Sequence, residues 1–136
     1  RTSERAVLVA TYSFWEGVDV RGTDLRLLII DKLPFLSPAD PVLQSRERAY
    51  RQAGEDGFRR YTLPRAAIAL RQGFGRLIRD EQDEGLFVLG DLRVFSRDYG
   101  VVFLQSLPHM PVLRSCERAV SLLKSKARGS GRYQGF

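Results

Sequence analysis

Three short runs, Val7-Leu8-Val9-Ala10, Leu25-Arg26-Leu27-Leu28-Ile29-Ile30 and Leu86-Phe87-Val88-Leu89, are apolar almost without interruption rather than in alternation. Continuous apolarity over so few residues suits strands covered on both faces, the habit of parallel sheets. Two helical patterns separate the second run from the third. Asp40 is placed to cap a helix that starts at Pro41, where a missing N–H costs least, and that runs to Ala53 before Gly54 ends it. The second helix spans Leu63 to Arg79. At about 100° per residue, Leu63, Ala67, Leu70, Phe74, Leu77 and Ile78 gather on one side of it, and Gln72, Arg76 and Arg79 gather on the other. Strands alternating with helices predict an α/β fold, a mainly parallel doubly wound sheet joined by right-handed crossovers. Three strands are few for such a sheet, so either the rest of it is expected upstream or the sheet here is a remnant. The chain opens on Arg1-Thr2-Ser3-Glu4-Arg5 with no initiator Met and reads as a piece of something longer.

The last third is less regular. Tyr99 to Leu107 is apolar enough for a strand or a short helix, and Pro108 and Pro111 then break the chain. A final helix is expected from about Ser115, with Ala119, Val120, Leu122 and Leu123 turned toward the body. Beyond it, Lys124, Lys126, Arg128 and Arg132 lie among Ser and Gly. The expected divisions are a main α/β part over 1–111, a C-terminal helix over 112–127 and a flexible basic tail over 128–136.

The chain has 136 residues, 43% of them hydrophobic and 28% charged, which suits one folded domain rather than a disordered chain. Lys and Arg number 22 against 16 Asp and Glu, a net charge of +6 that favours a phosphate-bearing partner. Cys116 is the only cysteine, so neither an internal disulfide nor an all-cysteine metal site can form within this sequence. No run approaches the ~18 to 20 apolar residues of a membrane span, and no membrane partner is expected.

The polar side of the second helix is the first candidate for chemistry. Two guanidinium groups and the Gln72 amide can grip a polyphosphate, and Gly75 leaves the helix surface low beside them. The same arginines also suit an ordinary solvated face. A second candidate is the polar loop after the first apolar run, Ser13-Phe14-Trp15-Glu16-Gly17-Val18-Asp19-Val20, at the carboxyl edge where open sheets collect ligands. Gly17 permits close backbone approach, Asp19 offers a carboxylate to a ribose hydroxyl or an arginine, and Ser13 can donate to a phosphate. Singly, each residue also fits a plain structural role: a turn, a cap, a core aromatic.

Together the two segments resemble something specific. Phe14-Trp15-Glu16-Gly17-Val18-Asp19-Val20 is similar to motif V, and Gln72-Gly73-Phe74-Gly75-Arg76-Leu77-Ile78-Arg79 to motif VI, of superfamily 2 helicases of the DinG and XPD type. Ile29-Ile30-Asp31-Lys32-Leu33-Pro34-Phe35 and Asp40-Pro41-Val42 resemble the segment between those motifs. Gly90-Asp91-Leu92-Arg93, Tyr99-Gly100 and Ser106-Leu107-Pro108 resemble the family's segment beyond motif VI. The likeness runs from about Val7 to Pro111 and is greatest to the bacterial YoaA-like branch.

The resemblance implies part of a RecA-like domain of the P-loop NTPase type, the second motor domain that closes over ATP and Mg²⁺ held mainly by the first. Arg79 takes the place of the arginine finger, Arg76 that of its companion near the γ-phosphate, and Gln72 that of the residue organising the phosphate or attacking water. Gly17 and Asp19 would belong to the ATP-binding set, linking it to the nucleic-acid surface nearest Ser13, and Arg76 and Arg79 are expected to project together from the sheet's ligand edge, beside the Asp19 loop. The implied whole is a cytoplasmic, nucleoid-associated DNA helicase, 5′-to-3′ in polarity, of DNA repair and replication. Its partners would be single-stranded or forked DNA, its own first motor domain and, from the YoaA-like branch, the chi subunit of the clamp loader. An iron–sulfur cluster is implied for the parent protein and not for this chain. The sequence contains neither a G-x-x-x-x-G-K-[ST] loop nor an Asp-Glu-Ala-His box, so this chain alone is expected not to hydrolyse ATP. The competing expectation is a non-catalytic module that docks a replication protein through the last helix and tail.

Overall fold

A computed structural model describes residues 7–11, 25–78 and 84–128. Its order is β1 (Leu27–Ile30), α1 (Pro41–Gln52), a π-helical turn (Phe58–Thr62), α2 (Leu63–Leu77), β2 (Leu86–Leu89), α3 (Arg93–Ser96), α4 (Gly100–Ser106) and α5 (Cys116–Arg128). The two strands pair in parallel, Leu27 opposite Leu86 through Ile30 opposite Leu89. The fold is therefore α/β, with helices and a small parallel sheet.

Helix α1 starts and stops as its sequence directs. The Asp40 carboxylate accepts a hydrogen bond from the Leu43 N–H at 2.8 Å, Pro41 occupies the first turn, and Gly54 takes φ +77°, a conformation that costs glycine no Cβ clash. Helix α2 follows the π-helical turn without a break, because Thr62 already has helical dihedrals. The Thr62 hydroxyl donates to the Glu47 carboxylate and so ties that turn to α1.

Burial shows which way α2 runs. Near its start, Leu63, Ala66, Ala67 and Leu70 pack with Leu33, just beyond the end of β1, and with Val94 and Phe103. Near its end, Phe74 and Leu77 pack with Leu28, at the beginning of β1. At Gly85, ahead of β2, a Cβ would come within 2.4 Å of the Leu77 side chain, so the last turn of the helix sits directly over the start of that strand. Helix α2 thus runs antiparallel to both strands. The core is completed by Phe35, Phe58, Tyr99 and Phe103, whose rings meet mostly edge to face at centroid separations of 5.3–6.4 Å.

Several expectations need correction. Residues 7–10 form no strand: β1 and β2 pair with each other, and Val7 and Val9 are about nine-tenths exposed. The sheet is covered on one face only among the described residues, since Leu28 packs on α2 while Ile29 stays 60% exposed. Residues 100–106 resolve the strand-or-helix ambiguity as helix α4. The second helix ends two residues short, because Ile78 turns to extended backbone at φ −123°, ψ 106°. Along α5, Val120 and Leu122 are both more than two-fifths exposed and do not seat against the body; the apolar stripe is real, but no described element covers it.

Candidate functional site

The chemistry-bearing residues fall at opposite ends of the strands. Helix α2 contains Arg65, Arg71 and Arg76 and no acidic residue. Arg65, Gln72 and Arg76 lie within about 40° of one another around its axis. Gln72 is exposed, Arg76 is half-buried, and an added Cβ at Gly75 would meet nothing within 4 Å. The surface beside Arg76 is therefore open to a close-approaching group. Gln72 also borders a groove of about 270 Å³ that runs past Ile68 and Ala69 to Arg65 and Pro34.

The sequence pattern predicted the arginine pair at the carboxyl edge of the sheet, beside the Asp19 loop. The turn bearing Arg76 is instead at the amino end of β2, because the helix is antiparallel to the strand. Arg79, Gly17, Asp19 and Ser13 lie outside the described residues.

The carboxyl edge carries different chemistry, which the sequence pattern did not mark as a site. Just after β2, the Asp91 carboxylate accepts from the Leu33 N–H at 2.9 Å, from the Arg93 N–H at 3.0 Å and from the Arg93 guanidinium at 2.6–3.0 Å. It is nearly buried. The guanidinium hydrogen bonds hold the Asp91 carboxyl well below the usual carboxylate range, against the opposing effect of burial, and the same pairing raises Arg93. The Arg93 guanidinium also lies 5.4 Å from the centre of the Phe35 ring. Asp91 thereby joins the exit of β2 to the exit of β1, and its charge offsets that of Arg93. The available signal was an Asp-x-Arg triplet immediately after an apolar strand, where a short reach brings the guanidinium back onto the carboxylate.

Above this pair lies an open cavity of about 660 Å³, bordered by Ile30, Lys32, Phe35, Glu47 and Arg93. It occupies the strand-end position where α/β sheets receive ligands. Its walls are chiefly apolar side chains. With Arg93 neutralised, Lys32 is left as its lysine cation, so the cavity is less suited to a polyanion than the outer face of α2.

Residues 1–110 match the helicase C-terminal domain family, and the chain belongs to it as a domain of the DinG/XPD type. Among its relatives, the ATP-dependent DNA helicase YoaA of Escherichia coli (strain K12) is 56% identical over 118 residues, 87% of this chain and 19% of that protein. The protein named 3′-5′ exonuclease DinG of Bacillus subtilis (strain 168) is 40% identical over 108 residues, 79% of this chain and 12% of that protein. The ATP-dependent helicase DinG of Mycobacterium tuberculosis (strain CDC 1551 / Oshkosh) is 37% identical over 125 residues, 92% of this chain and 19% of that protein. The chain thus spans a fifth or less of the length of these relatives. No helix among the described residues is long and apolar enough to cross a membrane.

Proposed function

We propose that the chain is the closing part of the second, RecA-like motor domain of a cytoplasmic ATP-dependent DNA helicase of repair and replication, 5′-to-3′ in polarity. The observation that carries this reading is the outer face of α2, where Gln72 and Arg76 share one side of a helix that contains no acidic residue. Membership of the helicase C-terminal domain family and the names of the relatives support it. A face of this kind fits the polyphosphate of ATP, held with Mg²⁺ by a first motor domain outside this chain.

In this mechanism Arg79 and Arg76 meet the charge that develops on the equatorial oxygens during phosphoryl transfer, and Gln72 orients the phosphate or the attacking water. Planar guanidinium groups can bridge two such oxygens at once, which a lysine cannot. Gly17 and Asp19 line the nucleotide side, and Ser13 faces the nucleic-acid strand. An arginine supplied across a domain boundary is worth on the order of 10³ to 10⁵ in rate. In a full-length helicase carrying this domain, Arg79→Ala is therefore expected to lower DNA-stimulated ATP turnover by about 10³ or more while the protein remains folded. Unchanged turnover overturns the finger assignment.

A docking role is a second reading, and the exposed Val120 and Leu122 on α5 favour it. That helix and the tail would recruit a replication protein, with the chi subunit of the clamp loader as the partner to test. Pull-down of purified chi by the full chain, and its loss when the chain is cut after Pro111, is the expected result. Retention by the shortened chain removes α5 and the tail from the interface.

A further inference from the structure

The outer face of α2 does not stop at Gln72. About two turns toward its start, Arg65 occupies the same side, roughly 16 Å from Arg76 along the axis. Its guanidinium lies 5.4 Å from the centre of the Tyr61 ring, and Tyr61 in turn meets Tyr50 of α1 at 6.4 Å. Among the described residues no carboxylate pairs with Arg65. Arg46, four residues before Tyr50 on α1, is exposed as well, while the neighbouring Glu47 is turned to Thr62.

An arginine stacked on an aromatic ring has its planar fork held in place before any ligand arrives, so less freedom is lost when it binds an anion. Phosphodiester oxygens suit that fork. The groove between Arg65 and Gln72 makes this surface continuous with the proposed nucleotide-facing residues.

We propose that Arg65, braced by Tyr61 and Tyr50, contacts the phosphodiester backbone of a single nucleic-acid strand. The inference rests on the helicase reading and adds to it a strand contact outside the two motifs. Aromatic rings beside a cation on a helix without acids favour a nucleic-acid strand, whose bases have flat faces to stack, over an acidic peptide, whose carboxylates have none.

The test is fluorescence anisotropy of a labelled 20-nucleotide oligo-dT titrated with the 136-residue chain across a salt series. Arg65→Ala is expected to weaken binding about fivefold or more and to reduce the slope of log affinity against log salt by about 0.7, the value for one lost single-strand phosphate contact. Arg65→Lys should restore the slope but only part of the affinity, and Tyr61→Leu should weaken binding with little change in slope. Arg71→Ala, an exposed arginine on another side of α2, is the control for general loss of charge, with circular dichroism confirming that each variant folds. The proposal is overturned if the chain binds no oligonucleotide, if Arg65→Ala leaves affinity and slope unchanged, or if Arg71→Ala has the same effect. Displacement of the oligonucleotide by polyglutamate at equal charge concentration overturns it in favour of an acidic protein partner. If Arg65→Ala is silent while Arg79→Ala abolishes ATP turnover in a full-length helicase, only the strand contact fails and the helicase reading stands.

Discussion

At the scale of single residues, Asp91 has the most demanding environment described. Its carboxylate is nearly buried, binds a backbone N–H from the β1 exit and takes the Arg93 guanidinium through both oxygens. Removing the charge weakens all of these contacts at once. Hydrogen bonds to an ionised group contribute about 1.5–3 kcal/mol each, and because Arg93 is partly solvated the lower end applies. Asp91→Asn is therefore expected to cost about 2 kcal/mol of stability in urea denaturation. The pH dependence follows from the depressed carboxyl. The group is ionised in the folded chain at pH values where the unfolded chain already takes up its proton, near its ordinary value of 3.8. Its contribution is thus complete above about pH 4 and drains away as the pH falls further, through the folded value. Between about pH 7 and pH 2.5, unfolding measurements should show a decline below about pH 4 that is shallower in Asp91→Asn. An unaltered profile would show that the pair is not formed.

At the scale of elements, local signals were legible wherever one residue type decides a boundary. Asp40, Pro41 and Gly54 marked both ends of α1 because capping, a first-turn proline and a left-handed glycine are short-range effects. Asp40→Ala is expected to cost about 1 kcal/mol, read as a lower thermal midpoint. The core stripe of α2 was legible for the same reason: Leu63, Ala67, Leu70, Phe74 and Leu77 are all buried. Periodicity says nothing about direction, however, so the antiparallel passage of α2 over the strands, and with it the placement of Arg76 at the start of β2, had to come from packing. The π-helical turn over Phe58–Thr62 was likewise hidden, since no residue type in that segment marks it and its tie to α1 runs through Thr62 and Glu47, fifteen residues apart. Apolar composition alone marked Val7-Leu8-Val9-Ala10 as a strand, but a strand needs a ladder partner, and these residues pair with neither β1 nor β2.

At the scale of the whole molecule, unburied apolar surface is the main consequence of a sheet with two strands among the described residues. Ile29 is 60% exposed and Leu27 39% exposed on the face of β1 away from α2. Apolar strand surface left open in this way promotes pairing between chains. Sedimentation of the 136-residue chain is expected to show association that grows with concentration, and Ile29→Lys should shift it toward monomer. A monomer at all concentrations would mean that this face is covered in solution. The same lack of described neighbours applies to α5, and there it has a practical side. The single thiol of the chain, Cys116, is exposed on the first turn of that helix. A maleimide fluorophore can therefore be attached there once per molecule, giving a reporter that brightens or shifts colour when a protein settles over the helix.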